Sequence, residues 1–314
     1  MQFLAHYSNQ FYVITISFLN FRIVKVILKL TDKESQISNA YKSALDFAKM
    51  HYENFPVVSL LIPKKLRKHV AIIYWFARTA DDFADEGNFS GDERLQRLNE
   101  LENSLTELIK GKFKSPFEEA LYQTIKQKNL TPQLFFDLLN AFKQDVVKKH
   151  YNNFNEVLDY CNRSANPVGR LILELYDVRN EEAFNYSDKI CTALQLTNFY
   201  QDIEIDYEKG RIYFPQDEMK QFEVTENIFA MKENNVNLKK LLRHNIDRTQ
   251  KMFDEGKNLF KLLNGRLKFE IKWTILGGET ILNKIKKNDY NIFNSRPKLT
   301  KTDFGALFIK SFLT

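Results

Sequence analysis

Glycine and proline are scarce, with ten and seven among 314 residues. No stretch is rich enough in serine, glycine or proline to act as a linker, which argues against a string of small domains. Dinucleotide and P-loop glycine patterns are absent, so no phosphate cradle of that kind is expected. No internal repeat is present. Cysteine is nearly absent as well: Cys161 and Cys191 lie in helical-looking runs without metal-type spacing. They read as reduced core residues of a cytoplasmic protein. The net charge of +6 is modest and its basic residues are scattered, which excludes a clustered nucleic-acid stripe. Such a balance suits an acidic lipid surface or an anionic substrate.

An uninterrupted membrane-spanning run is also missing. The nearest, Phe11–Leu30, is broken by Asn20, Arg22, Lys25 and Lys29, and it lacks the flanks of a signal peptide. Cations inside it oppose insertion across a bilayer. Residues 1–35 are therefore expected to form an apolar, basic extension that faces a membrane surface, packs as a core helix, or reflects an upstream start. Residues 36–314 are expected to form one helical domain.

What the chain has is apolar content, 44% hydrophobic and 14% aromatic, in long periodic runs with little punctuation. That pattern predicts an all-α bundle with a large core. Pro63 suits the start of a helix running to Gly87, and Gly111 ends the next. Thr131 is expected to cap a helix with Pro132 at its first position, and Ser187 to cap the one through 187–210. The tail is expected to hold helices near 223–263 and 266–288, with Leu276–Gly278 a close-packing site.

Inside this apolar background ARTADDFADEG, residues 77–87, carries four acids and an arginine directly after VAIIYWF. On a helix Asp81 and Asp85 share a face with Arg78. The stretch LTNFYQDIEIDYEKGRIYFP repeats the pattern: Asn198, Asp202 and Asp206 fall at i, i+4 and i+8, with Gln195 extending the stripe. Carboxylates in apolar settings are costly unless neutralised. Two such stripes suit magnesium, which takes oxygen ligands and bridges carboxylates to substrate phosphates. Arg78 and Arg211 offer forked donors to the remaining phosphate oxygens. Phe and Tyr side chains below them are expected to wall an apolar cavity whose π faces favour a carbocation.

These segments resemble the head-to-head prenyl synthases: squalene, dehydrosqualene and phytoene synthases. Asp81-Asp82-Phe83-Ala84-Asp85 is similar to their first acidic motif, with Arg78 three residues before it. Asn198, Asp202 and Asp206, followed by Gly210-Arg211-Ile212-Tyr213-Phe214-Pro215, are similar to the second. Tyr160-Cys161, Ala165 and Val168-Gly169 resemble the family segment whose tyrosine lies near the reacting carbons, and Asp145 matches a further aspartate segment. The resemblance runs from about Ser38 to Asp303. It implies an isoprenoid-synthase-type bundle, magnesium held by Asp81, Asp85, Asn198, Asp202 and Asp206, and a prenyl diphosphate substrate.

Within the family, ENFPVVSLLIP, YCNRSANPVGR, LTNFYQD and RPKLTK are most similar to the members that form hydroxysqualene from presqualene diphosphate. That branch implies Tyr160 beside the cation and Asn54, Phe55, Gln195 and Gln201 among the substrate contacts; Asn166 is expected either to position a water or to start a kink at Pro167. Glu53-Asn54 and Gln201 stand where condensing members often carry basic or serine residues, as suits a substrate with one diphosphate. The rival within the family is condensation of two farnesyl or geranylgeranyl diphosphates to presqualene diphosphate, dehydrosqualene, squalene or phytoene. Chain-elongating prenyltransferases would carry a second DDxxD, and terpene cyclases a Ser and Glu in the later motif. A non-catalytic scaffold relative is expected to lose the aspartates that this chain keeps.

Overall fold

Helix-forming runs separated by short caps dominate the chain, and a computed structural model describes residues 32–50, 62–293 and 296–313. The described residues form fourteen α-helices and one 3₁₀ turn, with no strand beyond a single isolated bridge. The expected all-α class is therefore met. No helix among them is long and apolar enough to cross a membrane. The Phe11–Leu30 segment and residues 51–61, with Asn54 and Phe55, lie outside the described residues.

The first half runs from α1 (residues 32–50) through α2 (Lys64–Asp85), α3 (Gly91–Ile109) and α4 (Pro116–Gln127) to α5 (Gln133–Val147). Pro63 is the N-cap of α2, and Gly87 turns the chain after it with φ +75, a conformation only glycine adopts freely. Ser90 and Glu93 form a capping box at α3, and Ser115 caps α4. Thr131 does not cap α5. Its amide and hydroxyl donate to the carboxylate of Glu174 at 2.8 and 2.5 Å, leaving Pro132 at the cap. A buried carboxylate needs donors, and that demand outweighs the local cap.

The run through 154–175 divides into α6 (Phe154–Ser164) and α7 (Asn166–Leu175), broken at Ala165 ahead of Pro167. α8 (Glu181–Gln201) starts earlier than expected because Asn180 caps it, its side chain accepting from the Ala183 amide at 2.7 Å. Ser187 sits buried inside that helix. Then come α9 (Ile203–Glu208), α10 (Gln216–Gln221), α11 (Glu226–Ala230), α12 (Val236–Gly256), the 3₁₀ turn Lys257–Lys261, α13 (Gly265–Lys287) and α14 (Lys301–Leu313).

Two apolar clusters fill the body. One gathers α1–α5 around Phe76, Phe135 and Leu138; the other gathers α6 and α8–α13 around Phe229, Phe253 and Leu242. α7 joins them, Leu171 and Leu175 facing the first cluster and Leu173 the second. Each fully buried side chain of this size contributes roughly 1.5–3 kcal/mol. At Gly278 an added Cβ would lie 2.7 Å from Phe253 and 3.0 Å from Leu194, so Leu276–Gly278 is the close-packing site expected. Cys161 and Cys191 are free, and burial pushes both thiols up to about 12.

Candidate active site

At the end of α2, Ala80 and Ala84 are buried against the core while Arg78, Asp81 and Asp85 occupy the other face. Arg78 donates through Nη1 to Asp81 at 2.9 Å and pairs through Nη2 with Asp82 at 2.8 Å. Burial pushes the Asp81 carboxyl up to about 6; Arg78 opposes that shift, and Asp85 and Asp82 add to it. The side chain is still 38% exposed.

The second acidic stripe is not one helix. α8 ends at Gln201, Asp202 is the joint, and α9 begins at Ile203. Two backbone bonds keep the one-turn succession across the joint, from the Asp202 amide to Asn198 O at 2.9 Å and from the Asp206 amide to Asp202 O at 2.8 Å. Asp206 is half-buried, and its carboxyl is pushed up to about 7 by burial and by the Asp202 charge.

Gly210, with φ +71, reverses the chain after α9, and the Arg211 amide returns to Asp206 O at 2.8 Å. The following segment then lies beside the one after α5: the Ile212 amide donates to Lys149 O, and Tyr151 bridges in parallel to Pro215. This placement delivers Arg211 to the first motif. Its guanidinium forks onto Asp85 at 2.5 and 3.1 Å, its Nε donates to Asp145 O at 3.2 Å, and Lys209 joins on Asp85 at 2.6 Å. Burial raises the Asp85 pKa, but the Arg211 and Lys209 bonds outweigh it and hold the carboxyl below its usual value. Residues 126 positions apart are thus in direct contact, tying the first acidic motif to the segment that follows the second.

Beside this pair lies an aromatic group. The Tyr160 hydroxyl donates to Asp145 at 2.6 Å and that of Tyr213 at 3.2 Å. Burial pushes the Asp145 carboxyl up to about 6 against the opposing Arg211 charge. Tyr213 stacks on Phe199 with centroids 3.7 Å apart and 6° between planes, and Tyr160 lies 5.7 and 6.0 Å from these two rings. A pocket next to them is lined by Phe199, Tyr207, Tyr213, Phe214 and Phe229 together with Asp206 and Arg211.

Two cations on the motif aspartates escaped the sequence reading. Lys209 adjoins the quoted Gly210-Arg211. Arg296 forks onto Asp202, one arm at 3.0 Å, from the RPKLTK segment. Gln201 does not line the site freely: its amide donates to Pro297 O at 2.6 Å. Asn166 is buried at the α6–α7 joint, donating to Asn162 at 2.9 Å and accepting from Thr192 at 3.0 Å, so both its amide atoms are engaged away from the aspartates. Gln195 is half-buried and Asn198 exposed on α8.

Oxygen donors on two segments that Arg211 ties together, with Asp81 and Asp206 both driven toward protonation by burial and neighbouring carboxylates, fit a hard divalent cation. Among the described residues no three acidic, His or Cys side chains converge on one metal position. Magnesium needs only one or two carboxylates when phosphates supply the rest.

A family model described as squalene/phytoene synthase matches residues 48–303. Hydroxysqualene synthase of Sinorhizobium fredii is 32% identical over 76% of this chain and 82% of its own length. That of Rhodopseudomonas palustris is 31% identical over 76% and 80%. A crystal structure described as squalene synthase HpnC from Alicyclobacillus acidocaldarius is 36% identical, with TM-score 0.78 over 82% of this chain and 97% of its own. A ligand-bound dehydrosqualene synthase shares the fold with TM-score 0.81 over 90% and 98% at 23% identity.

Proposed function

The chain belongs to the squalene/phytoene synthase family, and from that premise we propose that it converts presqualene diphosphate and water to hydroxysqualene and inorganic diphosphate. The observation that carries this reading is the bond between Asp85 of the first motif and Arg211 behind the second. It ties the first acidic motif to the segment behind the second, beside an aromatic group, which supports reading the two motifs as one site. The relatives named as hydroxysqualene synthases support the choice among family reactions.

In this reading Asp81, Asp85, Asp202 and Asp206, with Asn198 as a neutral oxygen donor, would hold magnesium, which would neutralise charge on the departing diphosphate. Arg78 and Arg211 bind the phosphate oxygens that remain. Heterolysis of the carbon–oxygen bond leaves a rearranging carbocation, which Tyr160, Phe199 and Tyr213 stabilise through their π faces. Water adds to the cation, and the proton of the resulting oxonium passes to the released diphosphate. Asp145 orients Tyr160 by accepting its hydroxyl proton in a hydrogen bond, so the ring stays fixed while charge moves. Asn166 holds the α6–α7 joint that carries Tyr160 toward the site. In this reading the enzyme is cytoplasmic and meets a membrane surface, where its long hydrocarbon substrate and product partition.

The deciding experiment incubates purified protein and magnesium with presqualene diphosphate and, separately, with farnesyl diphosphate, and identifies products by mass spectrometry. Hydroxysqualene from the first and no turnover of the second is the expected result. Consumption of farnesyl diphosphate would move the protein to the condensing members.

A further inference from the structure

Three of the four motif aspartates already hold a cation. Arg78 pairs with Asp81, Lys209 and Arg211 with Asp85, and Arg296 with Asp202, whereas Asp206 has no ion-pair partner among the described residues. These cations differ in origin. Arg78 shares a helix with its aspartate, and Lys209 and Arg211 directly follow α9. Arg296 arrives from the segment between α13 and α14, 94 residues beyond Asp202. Its Nε and Nη2 each donate to a different oxygen of the carboxylate. That fork is the geometry guanidinium makes best. It also places a full positive charge against the oxygens that a divalent ion at Asp206 would share.

We propose that Arg296 is an exchangeable occupant of Asp202: the guanidinium holds the carboxylate until a divalent cation, entering at Asp206, takes it over. The proposal rests on reading Asp202 and Asp206 as metal carboxylates, as above.

The surrounding segment is built for side-chain exchange without opening of the backbone. Gln201 donates to Pro297 O at 2.6 Å, and Lys284 donates to Lys298 O at 2.7 Å and pairs with Asp303 at 2.6 Å. Leu299 rests near Gly277, and Thr300 accepts from the Asp303 amide at 3.2 Å at the start of α14. Residues 297–303 therefore stay tied to α8 and α13 when the guanidinium leaves. The pair is also accessible, its side chains 31% and 25% exposed, so water and ions reach it. A pair of this exposure competes with an incoming ion by no more than roughly fivefold in affinity. Asp85 differs: its side chain and that of Arg211 are 15% and 9% exposed, so that pair does not exchange so readily.

The test uses the full-length chain and manganese(II), without diphosphate, as an EPR-visible substitute for magnesium. R296Q is expected to bind the ion roughly fivefold more tightly than the unaltered protein, and R296K to fall between them. A second measurement needs no variant. Manganese is expected to raise the rate at which an arginine-selective dicarbonyl labels Arg296 several-fold, read by peptide mass spectrometry, and D206N is expected to remove the increase. Saturable binding with equal affinities and unchanged labelling would overturn the exchange while leaving the metal site standing. Absence of saturable binding in every protein, with or without inorganic diphosphate, would remove the metal reading itself.

Discussion

At the end of α2 the first motif's aspartates and their arginine lie on one uninterrupted helix, whereas the second set straddles the joint between α8 and α9. Arg78 reaches Asp81 across three residues, and the pair is half-exposed. Asp202 waits for Arg296 from the far end of the chain, and Asp206 has no ion-pair partner among the described residues. Equal carboxylate chemistry thus rests on unequal supports. Helix geometry alone supplies Arg78 to Asp81; Arg211 reaches Asp85 only through the turn at Gly210, and Arg296 reaches Asp202 only through the segment that follows α13.

The sharpest way to break this comparison is to neutralise one aspartate on each side. D85N and D206N are both expected to lower turnover on the order of 10³-fold, as losing a principal electrostatic contact in an active site does. Their stabilities should diverge. D85N strands the buried Arg211 and is expected to cost about 1–3 kcal/mol in urea unfolding, because the side chain of Arg211 is only 9% exposed. D206N removes a carboxylate crowded by Asp202 and is expected to leave stability unchanged or slightly higher. Equal losses would show that the two motifs are supported alike.

A smaller effect tests the scaffold beneath the second motif alone. G278A brings a Cβ to 2.7 Å from Phe253 and 3.0 Å from Leu194 of α8. Overpacking of this kind costs about 1–3 kcal/mol, and it should lower the midpoint of chemical unfolding. G305A in α14 meets nothing within 4 Å and is expected to stabilise by up to ~1 kcal/mol. If both variants behave alike, close approach at Gly278 is not what seats α8 on α13.

The smallest expected change is at the local pair. R78Q should shift stability by less than about 1 kcal/mol, since the Arg78 side chain is 31% exposed and its partners Asp81 and Asp82 are 38% and 36% exposed. A larger loss, measured by thermal unfolding, would mean that Arg78 anchors the end of α2 and is not a free donor.

Much of the site was legible because its residues repeat at helical spacing. Asp81, Asp85 and Arg78 follow from one helix, and Asp202 follows Asn198 by one backbone bond. Local capping was less legible where a tertiary demand competed. Thr131 turned to Glu174, and Asn180 rather than Ser187 started α8. Polar side chains at ends satisfy whichever partner is costlier to leave unpaired. Arg296 and Gln201 could be located in suggestive segments, but nothing local links RPKLTK to the joint at Asp202.

Composition and periodicity by themselves determined an all-α chain and its two acidic stripes, since a period near 3.6 and sparse glycine and proline leave few other solutions, whereas the tyrosine segment was legible only through its resemblance to the family's. Only the tertiary structure decided which charges meet. Arg211 faces Asp85 because the segment after Gly210 lies along residues 149–152, and Tyr160 meets Asp145 because α6 packs on α5. Contacts across so many residues carry no local signature. They form when the chain buries its two apolar clusters, and the side chains at the joint between them take the partners that burial brings within reach.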